Sequence, residues 1–387
     1  MSLRDPATGE EVNPFPPDHT GKVKAVVAVD TERRTPLVVS ASLDRTVRIW
    51  DPAGRASELE LDPEASGEGS LLAVLPGSDG GPSLLTPARS GAVSIRSAAR
   101  GRLRRTRRRP QQLTWPAEWD CDALTALATH VWPDRSASVV IGLKNGLIGR
   151  WDEQRGWLSP PVGQSWQVAS VRSLDTLSLP RADDVVLVSG TSAGSICFYD
   201  LAGGEQRWEA VREDAAVRAL AALPTETDPL VAFSSGRTVG FSRVGTPSHL
   251  RLPGRTDHVP PLAVCPAKKA VPCWSPAAAT AVSGSGPRTL LGRRHTPYSR
   301  GTTARSPPSA FCRPPPTSPQ PLLTTAGSSD TTVRLWNPWT GEEVMRGVTG
   351  TSLTSLRALL DGSMPDTTGP ATAFGGPAGL VALTVHR

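Results

Sequence analysis

Short alternations of apolar and polar residues recur along the chain, and tight polar corners separate them. Val47 and Ile49 fall on one face of an extended strand, and Arg48 between them falls on the other. Residues 38–51 place this strand after an apolar strand and a corner centred on Asp44. No segment sustains an apolar period of about 3.6 residues, so the pattern predicts an all-β protein. The strands predicted for this first unit are 23–29, 37–42, 46–50 and 57–61.

The same strand–corner–strand unit occurs again near the end of the chain. Residues 323–337 run from an apolar strand through a corner centred on Asp330 to a strand that ends at Trp336. Weaker copies follow one another at spacings of about 43–55 residues, which four short strands and their turns would fill. These copies are 90–96, 144–152, 193–200, 236–242, a degenerate corner at 282–290 and a final unit at 373–384.

A repeat of this length, with a corner aspartate and a strand that ends in tryptophan, resembles the WD-repeat family. The resemblance implies a β-propeller of four-stranded blades, and the units predict eight blades, with seven as the alternative. In that family a histidine, a serine, the corner aspartate and the tryptophan form a hydrogen-bonded chain. The matching residues here are His19, Ser40, Asp44 and Trp50. A second unit retains Asp330 and Trp336 but has Ala326 at the serine position, and a third pairs Asn145 with Trp151.

The two ends of the chain carry matching sequence. Residues 4–12 resemble residues 336–344, which follow a third strand and lead into an outer one. The last unit stops just after its own third strand. We therefore predict that residues 1–12 supply the outer strand of the last blade, so that N- and C-terminal strands close a single propeller over residues 1–387. A plain turn in the first of the two stretches is the alternative.

Two segments depart from the repeat, 97–118 and 266–320. The chain has a formal net charge of +6, yet nine arginines and no acid lie between Asp79 and Glu118. The second segment is rich in proline, which cannot donate to a strand ladder. Three interpretations stay open: inserted disordered segments, basic arms for nucleic acid or anionic membranes, and translation in a shifted frame of a GC-rich gene.

Sequence patterns for catalysis, metals or cofactors are absent. The five cysteines are scattered and lack the close paired spacing of a zinc site. There is no phosphate-binding Gly-x-x-x-x-Gly-Lys-Ser/Thr loop. No apolar run of about 18 residues and no secretory leader pattern occurs. We therefore predict a cytoplasmic protein with no catalytic residues, metal or cofactor.

The functional prediction follows from the resemblance: a non-catalytic, monomeric scaffold that binds protein partners through one propeller face, and neither nucleic acid nor membrane. The corner residues predicted to line the rim of that face are Asp44, Arg45, Lys144, Asn145, Arg237, Asp330 and Thr331. The alternatives are a propeller hydrolase or lyase at the channel mouth and polyanion binding through the Arg100–Arg109 run. The resemblance also fits the propeller portion of a larger or degenerate bacterial regulatory protein.

Overall fold

The described part of the chain consists almost entirely of β-strands and turns. The computed structural model describes residues 2–4, 11–14, 19–29, 37–44, 46–50, 71–75, 83–88, 92–97, 111–119, 123–134, 136–158, 161–162, 169–179, 184–223, 229–246, 249–252, 262–265, 322–326, 331–348, 355–359, 371–376 and 379–384. These residues form strands β1 to β28 and a short 3-10 turn at Ala117–Trp119.

The strands pair into antiparallel sheets in which chain order is also the order across the sheet. Five sheets have four strands: β6–β9 (Ala73–Leu75, Ser83–Pro87, Val93–Ser97, Gln111–Leu113), β10–β13 (Leu124–Val131, Ala137–Leu143, Ile148–Asp152, Gly156–Trp157), β14–β17 (Val171–Ser178, Val185–Thr191, Ser195–Asp200, Gln206–Arg212), β18–β21 (Val217–Leu223, Leu230–Ser235, Thr238–Arg243, His249–Leu252) and β22–β25 (Leu262–Cys265, Leu322–Ala326, Thr332–Trp336, Glu343–Val348). Two sheets have three strands: β3–β5 (Val23–Val29, Leu37–Ser42, Val47–Trp50) and β26–β28 (Ser355–Leu359, Ala371–Gly376, Gly379–Thr384). A hairpin joins β1 (Ser2–Arg4) to β2 (Glu11–Pro14).

The first strands of these sheets contact one another in a closed series. The series runs from β3 through β6, β10, β14, β18, β22 and β26 and returns to β3. Sheets arranged around a common axis, each touching its two neighbours through its first strand, form a β-propeller. The prediction of an all-β propeller is therefore confirmed.

The predicted number of blades is wrong. The described part of the chain holds five complete four-stranded blades, whereas eight or seven were predicted, and the two three-stranded sheets complete the ring. The corner predicted at 282–290 would have required a sheet of its own, but β22 pairs directly with β23, with Val264 opposite Leu323. Residues 266–321, which separate these two paired strands along the chain, lie outside the described residues. The outer strand predicted at 57–61 lies outside the described residues.

The N-terminal residues form a hairpin, in which Leu3 lies opposite Asn13. One strand of this hairpin, β1, also lies against β28 of the last sheet. The described residues show no ladder between β1 and β28, so the exchange of an N-terminal strand into the last blade stays a prediction.

Part of the segment predicted to be irregular, 97–118, is described. Residues 111–113 form β9, the outer strand of its sheet, with Leu113 opposite Val93. Residues 98–110, which include the Arg100–Arg109 run, lie outside the described residues, and so does the whole of 266–320.

Apolar side chains fill the spaces between neighbouring sheets. Between β10–β13 and β14–β17, a single buried cluster contains Val140, Val171, Leu187 and Tyr199. Full burial of an aliphatic side chain of this size stabilises the fold by about 1.5–3 kcal/mol. The second strands β11 and β15 are buried along their whole length. Packing on both faces of these strands fixes the position of the corners at their ends.

Candidate binding face

One end of each of three sheets carries two features together: the corner between its second and third strands, and the connection that enters its first strand. In the first sheet, the Leu43 backbone N–H donates to Lys22 O at 3.0 Å. The equivalent bonds are Lys144 to Ala123 and Ser192 to Ser170, at 3.0 and 2.8 Å. Because the same bond recurs in sheets of one ring, their corners lie on one side of it, which we call the corner face.

Polar side chains hold the corner of the first sheet. Asp44 Oδ1 accepts hydrogen bonds from the Thr46 backbone N–H at 2.9 Å and from the Thr46 hydroxyl at 2.7 Å. The other carboxylate oxygen lies 2.9 Å from His19 Nδ1, and His19 Nε2 lies 2.7 Å from Ser40 Oγ. The Ser40 hydroxyl is fully buried, so this network replaces the hydrogen bonds that water would otherwise provide.

Burial and hydrogen bonding set the charge states in this corner. Burial lowers the pKa of His19 and outweighs the opposing effect of Asp44. Burial acts to raise the pKa of Asp44, but hydrogen bonds from Thr46, together with His19, leave that pKa below its ordinary value. Near neutral pH, an ionised Asp44 therefore accepts from the Nδ1–H of a neutral His19, while the Ser40 hydroxyl donates to Nε2.

The sequence prediction did not include Thr46. Its signal was available, because an aspartate followed two residues later by a hydroxyl residue favours a side-chain turn. The same pattern recurs at Asp134, which accepts from the Ser136 backbone N–H at 2.8 Å. The side chain of Trp50, predicted as the fourth member of the hydrogen-bonded chain, lies outside the described residues.

Trp336 keeps a hydroxyl partner that the sequence alignment misplaced. Its side chain is buried, and Nε1–H donates to Thr325 Oγ1 at 2.9 Å. Thr325 lies two residues beyond the ladder partner of Trp336, as Ser40 does for Trp50. Thr325 and not Ala326 therefore occupies the serine position, and the predicted interruption at Ala326 is wrong by one residue.

Trp151 is held by apolar contacts instead. It packs against a cluster that includes Trp119 and Trp157, whose rings meet edge to face at 5.3 Å. Trp151 lies opposite Val139, which puts Ile141 at the position equivalent to the serine. A side chain without a hydroxyl cannot continue the polar chain, so Trp151 is held by packing.

Three of the predicted rim residues are exposed in turns of the corner face. Lys144 and Arg237 are two of them. Asn145 is exposed as well, but its amide nitrogen donates to Trp119 O at 2.7 Å and its Oδ1 accepts from the Leu147 N–H at 3.2 Å. Asn145 therefore shapes its turn, whereas Lys144 and Arg237 present charge to solvent.

The corner of sheet β22–β25 contains an unusual backbone conformation. Thr331 has a φ of 52° and is the one non-glycine residue with positive φ in the ranges described above. A β-branched side chain rarely enters this left-handed region, so the backbone there is strained. The remaining predicted rim residues, Arg45 and Asp330, lie outside the described residues.

An ionic cluster around the buried Glu213, absent from the sequence prediction, links two neighbouring sheets. Glu213 Oε2 lies 3.1 Å from Arg251 Nη2, and Glu213 Oε1 lies 3.3 Å from His249 Nε2. Burial raises the pKa of Glu213, and the positive charge of Arg251 opposes that shift. The Glu213 backbone N–H donates to Gly194 O at 2.9 Å. The cluster therefore ties the corner of β14–β17 to the outer strand β21.

Metal-binding clusters and membrane-spanning helices are not found in the ranges that the structure describes. Within them, no three His, Cys, Asp or Glu side chains are grouped so that they could hold a metal ion. No helix there is long and apolar enough to cross a membrane.

The first sheet, with its histidine, buried serine and corner aspartate, is also the part that comparison with protein families recognises. The family described as "WD domain, G-beta repeat" matches residues 12–51. The chain contains a WD repeat. This repeat comprises β3 to β5 and the His19–Asp44 contact, so the matched residues coincide with the polar corner. None of the curated proteins matches the chain.

Proposed function

We propose that this WD-repeat propeller is a non-catalytic scaffold that binds protein partners through its corner face. The observation that supports the proposal most directly is the backbone bond that recurs between corner and first-strand start in separate sheets. Because of it, the exposed Lys144 side chain projects from a short, anchored turn. The turn that carries the exposed Arg237 is held by the Ser235 hydroxyl, which donates to Ala215 O at 2.6 Å. Residues on loops that a rigid scaffold positions are well suited to recognition.

The proposed rim consists of the corner residues of several sheets, which divide into two roles. Asp44 and Asn145 shape their turns through side-chain hydrogen bonds. Lys144 and Arg237 contact the partner. Arg45, Asp330 and Thr331 complete the rim in this proposal. The protein acts as a cytoplasmic monomer and serves as the interaction module of a larger regulatory system.

Charge reversal on the corner face tests this function. The variant Lys144→Glu with Arg237→Glu is compared with Arg155→Glu, an exposed residue in the turn after β12, at the opposite end of its sheet. Affinity capture of the tagged full-length protein from its own cells is followed by quantitative mass spectrometry. We expect the double variant to retain on the order of tenfold less of the captured partners, since each lost charge contact weakens complementarity. Equal retention by the double variant and the Arg155→Glu control contradicts the corner face as the binding surface.

We also propose that the N-terminal hairpin closes the ring. The supporting observation is that β1 lies against β28, in a sheet that has three strands among the described residues. Removal of residues 1–12 is expected to lower the melting temperature by more than about 2–4 °C, the shift that about 1 kcal/mol produces in a large domain. The matched control replaces residues 1–12 with a Gly/Ser sequence of equal length. An unchanged melting temperature in both variants would show that the hairpin plays no part in closure.

A further inference from the structure

The first strands of four sheets carry an extra residue at the same place. In β14, Val171 pairs with Thr191 and Ser173 pairs with Gly190, which leaves Arg172 between them as a bulge. The equivalent residues are Lys24 in β3, Thr125 in β10 and Arg218 in β18. A β-bulge turns a side chain out of the regular alternation of its strand. Because the bulge recurs at one level of the ring, four side chains leave the regular strand alternation at equivalent positions.

Three of these four residues are basic. Arg172 and Arg218 are exposed, although each follows a valine, Val171 or Val217, that is completely buried. Lys24 is half-buried. The fourth, Thr125, donates its hydroxyl to a backbone carbonyl at 3.1 Å. We call Lys24, Arg172 and Arg218 the basic mouth.

The basic mouth lies where the corner face meets the axis of the ring. Each of its residues is the second residue of a first strand, and these strands begin at the corner face. The Ser173 hydroxyl donates to Val217 O at 3.4 Å, so Arg172 and Arg218 come from adjacent strands at one level. Lys24 adds a third positive charge from β3, at another point around the same opening. The three cations therefore lie at one level of the ring, two on adjacent sheets and one on a sheet further around it.

The acidic side chains near the basic mouth are engaged in other contacts. Asp44 is bonded to His19 and Thr46, as described above. Glu213 lies against Arg251, and the exposed Asp214 lies 3.7 Å from the same guanidinium group. Asp175, further along β14, accepts a hydrogen bond from the Ala222 backbone N–H at 2.7 Å. Basic side chains at one level of the ring create a positive potential that an anionic ligand would relieve.

We propose that the basic mouth binds an aspartate- or glutamate-rich segment of a partner protein, whose carboxylates enter the opening. The proposal rests on the protein-binding function above and adds the chemistry of the partner. Arginine side chains bind carboxylates with two parallel hydrogen bonds, which favours Arg172 and Arg218 as the main contacts. Leu43 on the same face is 43% exposed. Its apolar surface suits the side chains of a peptide better than the sugar–phosphate backbone of a nucleic acid.

Fluorescence anisotropy with a labelled glutamate-rich peptide tests the proposal on the full chain. The test variant combines Lys24→Gln, Arg172→Gln and Arg218→Gln. One control is Arg155→Gln, and a second replaces the arginine run through Arg104→Gln, Arg105→Gln, Arg107→Gln and Arg108→Gln. We expect the test variant to bind the peptide on the order of tenfold more weakly than wild type, and both controls to stay within about twofold. Added salt should weaken binding in wild type more than in the test variant.

Several results would overturn the proposal. They are the absence of peptide binding in wild type at low salt, unchanged binding in the test variant, and a loss that follows the arginine-run control. Tighter, mouth-dependent binding of a single-stranded oligonucleotide of equal charge would reassign the mouth to nucleic acid. If the test variant melts at a lower temperature, the single variants Arg172→Gln and Arg218→Gln decide the matter, each with an expected loss of about threefold.

The proposal can fail while the scaffold function stands. In the affinity-capture experiment, loss of partners in the Lys144→Glu, Arg237→Glu variant with full retention in the basic-mouth variant would leave the corner face as the binding surface. That result would contradict the proposal that the partner binds through an acidic segment. Loss of the same partners in both variants supports the scaffold function and the basic mouth together.

Discussion

The first sheet and the sheets β10–β13 and β14–β17 use different contacts near the corner-face end of the second strand. In the first sheet, His19, Ser40 and Asp44 hold the turn through side-chain hydrogen bonds. In the other two, a glycine of the second strand lets the next sheet approach. A Cβ on Gly142 would lie 2.5 Å from Val171 Cγ1, and one on Gly190 would lie 2.6 Å from Val217 Cγ1.

The register shows that these glycines are equivalent to an alanine of the first sheet. Ala41 is the ladder partner of the residue after the bulge in β3, as Gly142 and Gly190 are for β10 and β14. One repeat thus combines a polar corner with an ordinary small residue, while two others combine close apolar contact with glycine. A blade therefore keeps its shape either with a polar network or with a glycine that permits close packing. Only the polar network leaves a recognisable sequence signature, the histidine, serine and aspartate.

The largest loss of stability is expected from the apolar cluster between sheets. Tyr199 is completely buried in the cluster between β10–β13 and β14–β17. Tyr199→Ala should lower the free energy of unfolding by about 3–5 kcal/mol, because it leaves a large cavity. Tyr199→Phe keeps the ring and should cost less than about 1.5 kcal/mol. Denaturant unfolding measures both, and near-equal losses would show that ring packing does not hold these two sheets together.

The close approach of neighbouring sheets predicts the next effect. Gly190→Ala places a methyl group against Val217 and should destabilise the protein by about 1–3 kcal/mol through overpacking. The matched change at the equivalent place in the first sheet, Ala41→Gly, removes one methyl group and should cost about 1 kcal/mol. A Gly190→Ala variant as stable as wild type, again by denaturant unfolding, would mean that the contact between the sheets is not tight.

A smaller loss is expected from the polar corner. Asp44→Ala removes the acceptor for Thr46 and the partner of His19, and should lower the free energy of unfolding by about 1–2 kcal/mol. Asp134→Ala, which removes a similar but exposed turn contact, should have a weaker effect. If thermal and denaturant unfolding give the same loss for both variants, the buried histidine and serine add nothing to the local turn.

The smallest effect is a dependence of stability on pH. The folded pKa of His19 lies below its ordinary 6.5, and that of Asp44 below its ordinary 3.8. Each group therefore adds stability that is complete above the ordinary value and is lost as the pH falls through the folded value. Between pH 7 and about 5 the histidine dominates, at up to about 1.4 kcal/mol for each unit of pKa lowering. His19→Gln should reduce the pH dependence of the denaturation midpoint. Some pH dependence should remain, because burial also lowers the pKa of His130. An unaltered pH profile in His19→Gln would contradict this assignment.

Local sequence pattern predicted the first sheet closely. Alternation and the corner aspartate placed strands at 23–29, 37–42 and 46–50, and the structure has Val23–Val29, Leu37–Ser42 and Val47–Trp50. These features depend on residues within one hairpin, where backbone periodicity and turn chemistry decide the outcome.

Features that depend on contacts distant in sequence could not be predicted in the same way. The prediction of eight units counted a corner at 282–290, whereas β22 and β23, which flank 266–321, pair directly with each other. The bulges at Arg172 and Arg218 follow from the register between strands, which composition does not reveal. Glu213 and Arg251 meet across two sheets, so no spacing within one repeat signals their contact.

The direct pairing of β22 with β23 should allow the propeller to tolerate a domain inserted between these two strands. Cys265 and Leu322 are ladder partners, although 266–321 separates them along the chain. Joining the ends of a flexible segment costs only about 0.6 kcal/mol more for each doubling of its length. A reporter protein grafted into this connection should therefore leave the sheet intact. Because β22 runs away from the corner face, the guest would project from the opposite side of the ring and leave the face with the basic mouth open to its partners.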